Sequence, residues 1–236
     1  MTEAGPEARA RPLAVVFLDG EYGDPGWHRD LAARADILLA ADGGARFLAG
    51  LGLTPAAVIG DFDSLDEATA EVLRAAGAEF VRHPVRKDVT DGELAVDEAL
   101  RRGAGEVLLA GATGALDHTL GHLAILRRLA SHGIAARLVA PDLAATVLIA
   151  PAAVALGAPA GARVSLSAVG EAATVTLTGL EYPLERGALP ADACLGLGNH
   201  VAAAGDARIV LHEGTVVLLV DRGDESFPPF AAGREE

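Results

Sequence analysis

The sequence predicts an α/β half built on a parallel sheet, followed by an all-β half. Two observations carry that division. From Leu13 to about Ala140, short apolar runs alternate with helical patterns, as in βαβ units. After about Ala150 the segments become strand-like, two of them alternating apolar with polar, with glycine-rich separators and no long helix between them. In order, the expected strands of the first half are LAVVFL (13–18), DILLA (36–40), AAVI (56–59), EFV (79–81), EVLLA (106–110) and ARLVA (136–140). Ser64 with Glu67 forms a capping-box pattern opening a helix that stops at Gly77, and Thr90 with Glu93 opens a second that stops at Gly103. In the second half, RVSLSAV, ATVTLTGL and ARIVLHEGTVVLLV are the expected strands; ATVLIA (145–150) fits either half, and Pro151, Pro159 and Gly161 mark the join. Residues 1–12 read as a flexible leader without the apolar stretch of a secretory signal, and 223–236 as a tail. That leaves domains at 13–150 and 151–222.

Composition narrows the partners. Hydrophobic residues make up 51% of the chain, yet charged residues, Gly or Pro interrupt every apolar run well before the roughly 18 residues of a spanning helix. A net charge of −14 argues against nucleic acid or an anionic membrane as a partner, since both would repel the chain. An acidic chain that handles nucleotides needs a metal between its carboxylates and the phosphates. Cys194 is the only cysteine, which excludes an internal disulfide and a Cys-based zinc cage and fits the reducing cytoplasm. Of the 19 basic residues only Lys87 is a lysine. A compact ammonium and a planar guanidinium are not interchangeable, so Lys87 is a candidate for a place that arginine does not fill; chance survival is the competing explanation.

The candidate chemistry gathers at strand ends, where open α/β sheets bind ligands. The strand AAVIG delivers GDFDS; if the segment stays extended, Asp61 and Asp63 point the same way and both face one hard cation. In KDVTDGE, Asp88 precedes the cap residue Thr90, and Asp91 lies in or beside the first helical turn, where stabilisation of the helix dipole is the plainer explanation. Four carboxylates on one edge repel unless a divalent ion such as Mg²⁺ sits among them. ADGGARFLAGLG sets Asp42, Gly43 and Gly44 between strand and helix, a place for close ligand approach or simply a tight turn. GATGALDHTLGHL places a glycine-containing loop with Gly114 before a helix opening near Asp117, suited to a phosphate. His118 and His122 share a helix face at i and i+4, but HTLGH lacks the glutamate of a zinc-binding HExxH; one of the two is expected to meet ligand and the other to pack.

ADGGA, the proline-led strand ending in GDFDS, KDVTD with its helix, and GATGALDHTL stand in the order and approximate spacing of thiamine pyrophosphokinases. TGLEYPL and GLGNH are similar to that family's C-terminal substrate-binding segments, so the chain resembles the family from Leu13 to Val220. The resemblance implies a doubly wound, mostly parallel, Rossmann-like catalytic domain followed by a β-sandwich, assembled as a homodimer with active sites between subunits. It implies diphosphate transfer from ATP to the hydroxyl of thiamine, with Mg²⁺ and the diphosphate served by Asp61, Asp63, Asp88 and Asp91. Asp88 or Asp117 would accept the alcohol proton, and Lys87 would add a point charge on a phosphate oxygen. Asp42, Gly43, Gly44, Thr90, Gly114 and His118 fall on the nucleotide side, and Tyr182 and Asn199 in the thiamine pocket. Three positions depart from the family pattern: Ala115 in place of an arginine, Gly198 in place of a serine, and Arg46 in place of an asparagine. A pyrophosphokinase for a pterin alcohol, a non-catalytic nucleotide- or thiamine-binding module, and a phosphohydrolase with Asp61 as nucleophile are the competing readings.

Overall fold

The structure is a computed structural model that describes residues 11–63, 65–83, 89–204, 207–221 and 230–233, the last by backbone alone. In chain order its elements are β1 (Leu13–Phe17), α1 (Pro25–Ala33), β2 (Ile37–Ala41), α2 (Gly43–Gly50), β3 (Ala57–Gly60), α3 (Glu67–Ala75), β4 (Glu79–Arg82), α4 (Asp91–Arg101), β5 (Glu106–Ala110) and α5 (Leu116–Ser131). Strands then follow almost without interruption: β6 (Ala135–Val139), β7 (Leu143–Ile149), β8 (Ala152–Leu156), β9 (Arg163–Ala168), β10 (Ala173–Thr178), β11 (Leu184–Leu189), β12 (Asn199–His200), β13 (Arg208–Glu213), β14 (Thr215–Asp221) and β15 (Phe230–Gly233).

The chain divides into two compact units. One comprises the chain up to Asp19 with His28–Leu108; the other comprises Gly20–Trp27 with the chain from Leu109 onward. In the first unit the strand order is β5-β1-β2-β3-β4, and the β1–β2, β2–β3 and β3–β4 pairs are parallel. Every residue of β1 and β3 is buried, as expected for parallel strands covered on both faces. Helix α4 packs on β1, β2 and β3 through Ala95, Val96 and Ala99. In the second unit β6, β7, β14, β9 and β12 continue in antiparallel pairing, and a separate five-stranded antiparallel sheet runs β11-β10-β13-β8-β15. Burial alternates along β9, β10 and β13, so each turns one face to the core. The mixed α/β class expected from sequence is the class observed.

Two local expectations change. Helix α3 is capped by Asp66 rather than by a Ser64 box: Asp66 Oδ1 accepts the Thr69 N–H at 2.9 Å and Oδ2 accepts the Thr69 hydroxyl at 2.7 Å. A carboxylate adjoining Glu67 starts the helix two residues later than a box at position 64 requires; Ser64 itself lies outside the described residues. The segment read as a tail contributes β15, paired with β8. By contrast Thr90 caps α4 as expected, its hydroxyl accepting the Glu93 N–H at 3.2 Å, and Gly103 follows the helix end at φ 91°.

The far end of α4 is tied down by charge. Buried Glu98 accepts two hydrogen bonds from Arg101, at 2.6 and 2.5 Å, and one from Arg102 at 2.6 Å; Arg102 also reaches Glu79 of β4 at 2.5 Å. The Arg101 bonds, aided by Arg102 and opposed by burial, hold the Glu98 carboxyl at about 2 instead of 4.5. A depressed carboxylate pKa stabilises the fold above its unfolded value and loses that contribution as pH falls towards the folded one. Glu98→Gln is therefore expected to cost about 1 to 3 kcal/mol at neutral pH. The gap from the parent should narrow as pH drops from 4.5 to about 2, as checked by thermal unfolding across that range.

Candidate active site

In the first unit, three aspartates stand just past the carboxyl ends of parallel strands: Asp19 after β1, Asp42 after β2 and Asp61 after β3. Asp42 adopts φ 41° and ψ −115°, a conformation that costs a residue with a Cβ about 1 to 3 kcal/mol, and is held there in part by its N–H bond to Ile59 O at 3.1 Å. The next two glycines sit close under other groups, a side chain at the first and main chain at the second. A Cβ on Gly43 would overlap the Asp19 carboxylate, and one on Gly44 would overlap the carbonyl of Phe17 in β1. Gly60, at φ 150°, leaves room for two acids at once: a Cβ there would overlap the Asp42 carboxylate and come within 3.3 Å of Asp91 Oδ1. The carboxylates of Asp42 and Asp91 thus converge on Gly60. Asp91 reaches that point from the first turn of α4, positioned by the Thr90 cap.

Asp61 and Asp63 are not presented as the extended reading predicts. Phe62 between them lies in the left-handed region at φ 68°, and Asp61 Oδ1 accepts the Asp63 N–H at 3.0 Å, so the segment turns and its two carboxylates do not share one side of a straight strand. Lys87 and Asp88 lie outside the described residues. Among the described residues no group of three or more His, Cys, Asp and Glu side chains is drawn together as a complete metal cage. The donor set nevertheless suits Mg²⁺, which takes oxygen ligands and typically one or two protein carboxylates together with phosphate oxygens.

In the second unit the loop before α5 carries Gly111 and Gly114 at φ 65° and 126°. It is lined by the segment after Asp19: Glu21 N–H donates to Thr113 O at 2.8 Å, the Tyr22 ring abuts Gly111, and the Glu21 side chain lies against Gly114. A carboxylate therefore borders the loop read as a phosphate cradle. Ala115 occupies the N-cap of α5 without a side-chain bond, and Asp117 Oδ1 accepts the His118 N–H at 2.9 Å. His118 is exposed. His122 is the packed histidine: its Nδ1–H donates to Ala112 O at 2.8 Å, and burial lowers its pKa against the raising effect of that bond.

Tyr182 and Asn199 are brought together in the same unit. The Asn199 side chain is buried and clamps the tyrosine backbone: Oδ1 accepts the Tyr182 N–H at 3.0 Å and Nδ2 donates to Tyr182 O at 2.8 Å. Oδ1 also accepts the His200 N–H at 2.9 Å. Tyr182 is 69% exposed, and Leu195 and Leu197, just before Asn199 in sequence, are exposed as well.

Residues 28–138 match the family model described as "Thiamin pyrophosphokinase, catalytic domain". This span is similar to that family's catalytic domain. The matched span contains Asp42, Asp61, Asp63, Asp91 and Asp117. The chain is 31% identical over 104 residues to the thiamine pyrophosphokinase of Bacillus subtilis (strain 168), an alignment covering 44% of this chain and 49% of that protein. It thus spans about half the length of the curated relative it matches. In fold it is similar to a thiamine pyrophosphokinase crystal structure from Bacillus subtilis, with a TM-score of 0.77, 24% identity, and coverage of 89% of this chain and 98% of that one. Thiamin pyrophosphokinase from Candida albicans gives a TM-score of 0.77 at 12% identity, covering 90% and 89%. Outside the matched span lie Asp19, Glu21 and Tyr22, which sequence reading passed over. The available signal was position: FLDGE puts Asp19 at the same strand-end place as Asp42 and Asp61.

Proposed function

We propose that this chain is an ATP:thiamine diphosphotransferase. The observation that carries the reading is the coincidence of the matched catalytic-domain span with the carboxylates of Asp42, after β2, and Asp91, at the start of α4, converging on Gly60. The hydroxyl oxygen of thiamine attacks the β-phosphorus of ATP, the bond from that phosphorus to the oxygen bridging it to the α-phosphorus breaks, AMP leaves with that oxygen, and the hydroxyl proton passes to a carboxylate. Asp61, Asp63, Asp88 and Asp91 would hold Mg²⁺, which when bound neutralises phosphate charge. Asp42, Gly43, Gly44, Thr90, Gly114 and His118 are the residues proposed for the nucleotide, and Lys87 for a point charge on a phosphate oxygen. Asp88 or Asp117 accepts the alcohol proton, within hydrogen-bond reach of it once substrate is bound. Tyr182 offers an aromatic face to the flat, cationic vitamin, and Asn199 fixes its backbone. A homodimer with active sites between subunits, working in the cytoplasm, completes the reading; no helix among the described residues is long and apolar enough to cross a membrane.

One assay tests it: the protein with ATP, Mg²⁺ and either thiamine or a pterin alcohol, followed by separation of AMP from ADP. AMP with thiamine diphosphate is the expected result. ADP would replace the reading with an ordinary kinase, AMP only with the pterin would change the acceptor, and tight binding without AMP would make the chain a binding module.

A further inference from the structure

Phe62 holds a backbone conformation that a bulky residue seldom adopts, at φ 68°, between two aspartates assigned to the reaction. Something must over-determine it. In the parallel β3–β4 pair, Phe80 lies opposite Val58 and Arg82 opposite Gly60. Positions 80 and 82 are two apart on one strand and so project from the same face of the sheet. The Phe62 ring folds back onto that face. It meets Phe80 edge to face, with centroids 5.2 Å apart and planes at 71°, and the Arg82 guanidinium lies over it at 5.0 Å. Arg74 of α3 covers the Phe80 ring in turn, at 4.5 Å. A ring, a cation and a neighbouring strand thus pin a turn also supported by the bonds from Asp63 N–H to Asp61 Oδ1 at 3.0 Å and from Leu65 N–H to Phe62 O at 3.4 Å.

We propose that Phe62 is a positioning residue: its ring, held by Phe80 and Arg82, maintains the left-handed turn that presents Asp61 and Asp63 at the end of β3. The proposal rests on the diphosphate-transfer reading of this edge. Phe62 touches no substrate; it acts through the two carboxylates.

The test uses the intact chain with Phe62→Tyr, Phe62→Leu, Phe62→Gly and Arg82→Met, measuring kcat, KM for thiamine, melting temperature and, separately, the affinity of the nucleotide-free protein for Mn²⁺. Phe62→Tyr keeps the ring and should match the parent. Phe62→Leu should lower kcat about 10- to 100-fold and Mn²⁺ affinity about tenfold, with KM for thiamine changed less than about threefold. Glycine adopts the turn freely but has no ring, so Phe62→Gly should behave like the leucine variant. Arg82→Met should fall between. Parent-like kcat and Mn²⁺ affinity in the leucine or glycine variant would overturn the proposal, as would a loss confined to melting temperature. If the parent forms no AMP, the diphosphate-transfer reading fails by itself, and the Mn²⁺ series still decides whether the ring positions the carboxylates.

Discussion

Asp61→Asn is expected to slow AMP release about 100- to 1,000-fold while leaving the melting temperature at or above that of the parent. The amide oxygen of asparagine accepts a hydrogen bond as the carboxylate does, so the turn closed by the Asp63 N–H survives while the charge is lost. Asp61→Ala removes both and should additionally cost about 1 kcal/mol of stability. Asp91→Asn takes charge from the point where Asp91 meets Asp42 over Gly60. Its rate should fall in the same range, with relief of carboxylate repulsion opposing the about 0.3 to 1 kcal/mol lost at the start of α4. Rates at saturating Mg²⁺ and calorimetric melting temperatures read the two effects separately. Parent-like rates in both asparagine variants would remove these carboxylates from the reaction.

The second large effect is expected at Tyr182. Loss of the ring should raise KM for thiamine about 5- to 150-fold, the equivalent of roughly 1 to 3 kcal/mol of stacking and cation–π attraction. KM for ATP should stay nearly unchanged. Because Tyr182 is 69% exposed, Tyr182→Ala should cost little stability, and Tyr182→Phe should retain most of the affinity. Asn199→Ala separates position from contact: it frees the Tyr182 backbone and leaves buried groups unpaired, so it should raise KM for thiamine and lower stability by about 1 to 3 kcal/mol together. A tyrosine-to-alanine variant that binds thiamine as the parent does would exclude Tyr182 from the pocket.

The strands β1 to β6 each fall within a residue or so of the expected segments, most plainly β1, β2, β3 and β5, whose sequences are nearly uninterrupted apolar runs. The second half was harder. Strand β11 reads LERGAL, with Glu185, Arg186 and Gly187 on an edge, and Arg186 sits at φ 45° where its pairing with β10 shifts register. No period of two survives such a bulge. Strand β12 is two residues long, and β8 is a short run of small apolar residues with no polar face to mark it. At the site, residue identity and strand-end placement were readable, since a carboxylate after an apolar run needs only local sequence. Orientation was not. The turn at Phe62 depends on Phe80 and Arg82, two strand residues nearly twenty positions away, and Asp42 meets Asp91 across about fifty. Asp19 was passed over although its strand-end place was readable; only its contacts with Gly43 and Arg46, the latter 3.6 Å away, needed the fold.

The paired glycines after β2 differ in what stands over them. A methyl at position 43 presses on the end of the Asp19 side chain, which is half exposed and free to swing aside; a methyl at position 44 presses on the main chain of β1, which is not. Change at the first position displaces the Asp19 carboxylate and leaves helix and strand in place, so it costs the fold little. Change at the second forces helix and strand apart, so its penalty falls on how much folded protein a cell keeps after its proteases have acted. Two identical, adjacent letters thereby differ in what a side chain would cost: at the first a movable side chain gives way, at the second the main chain must.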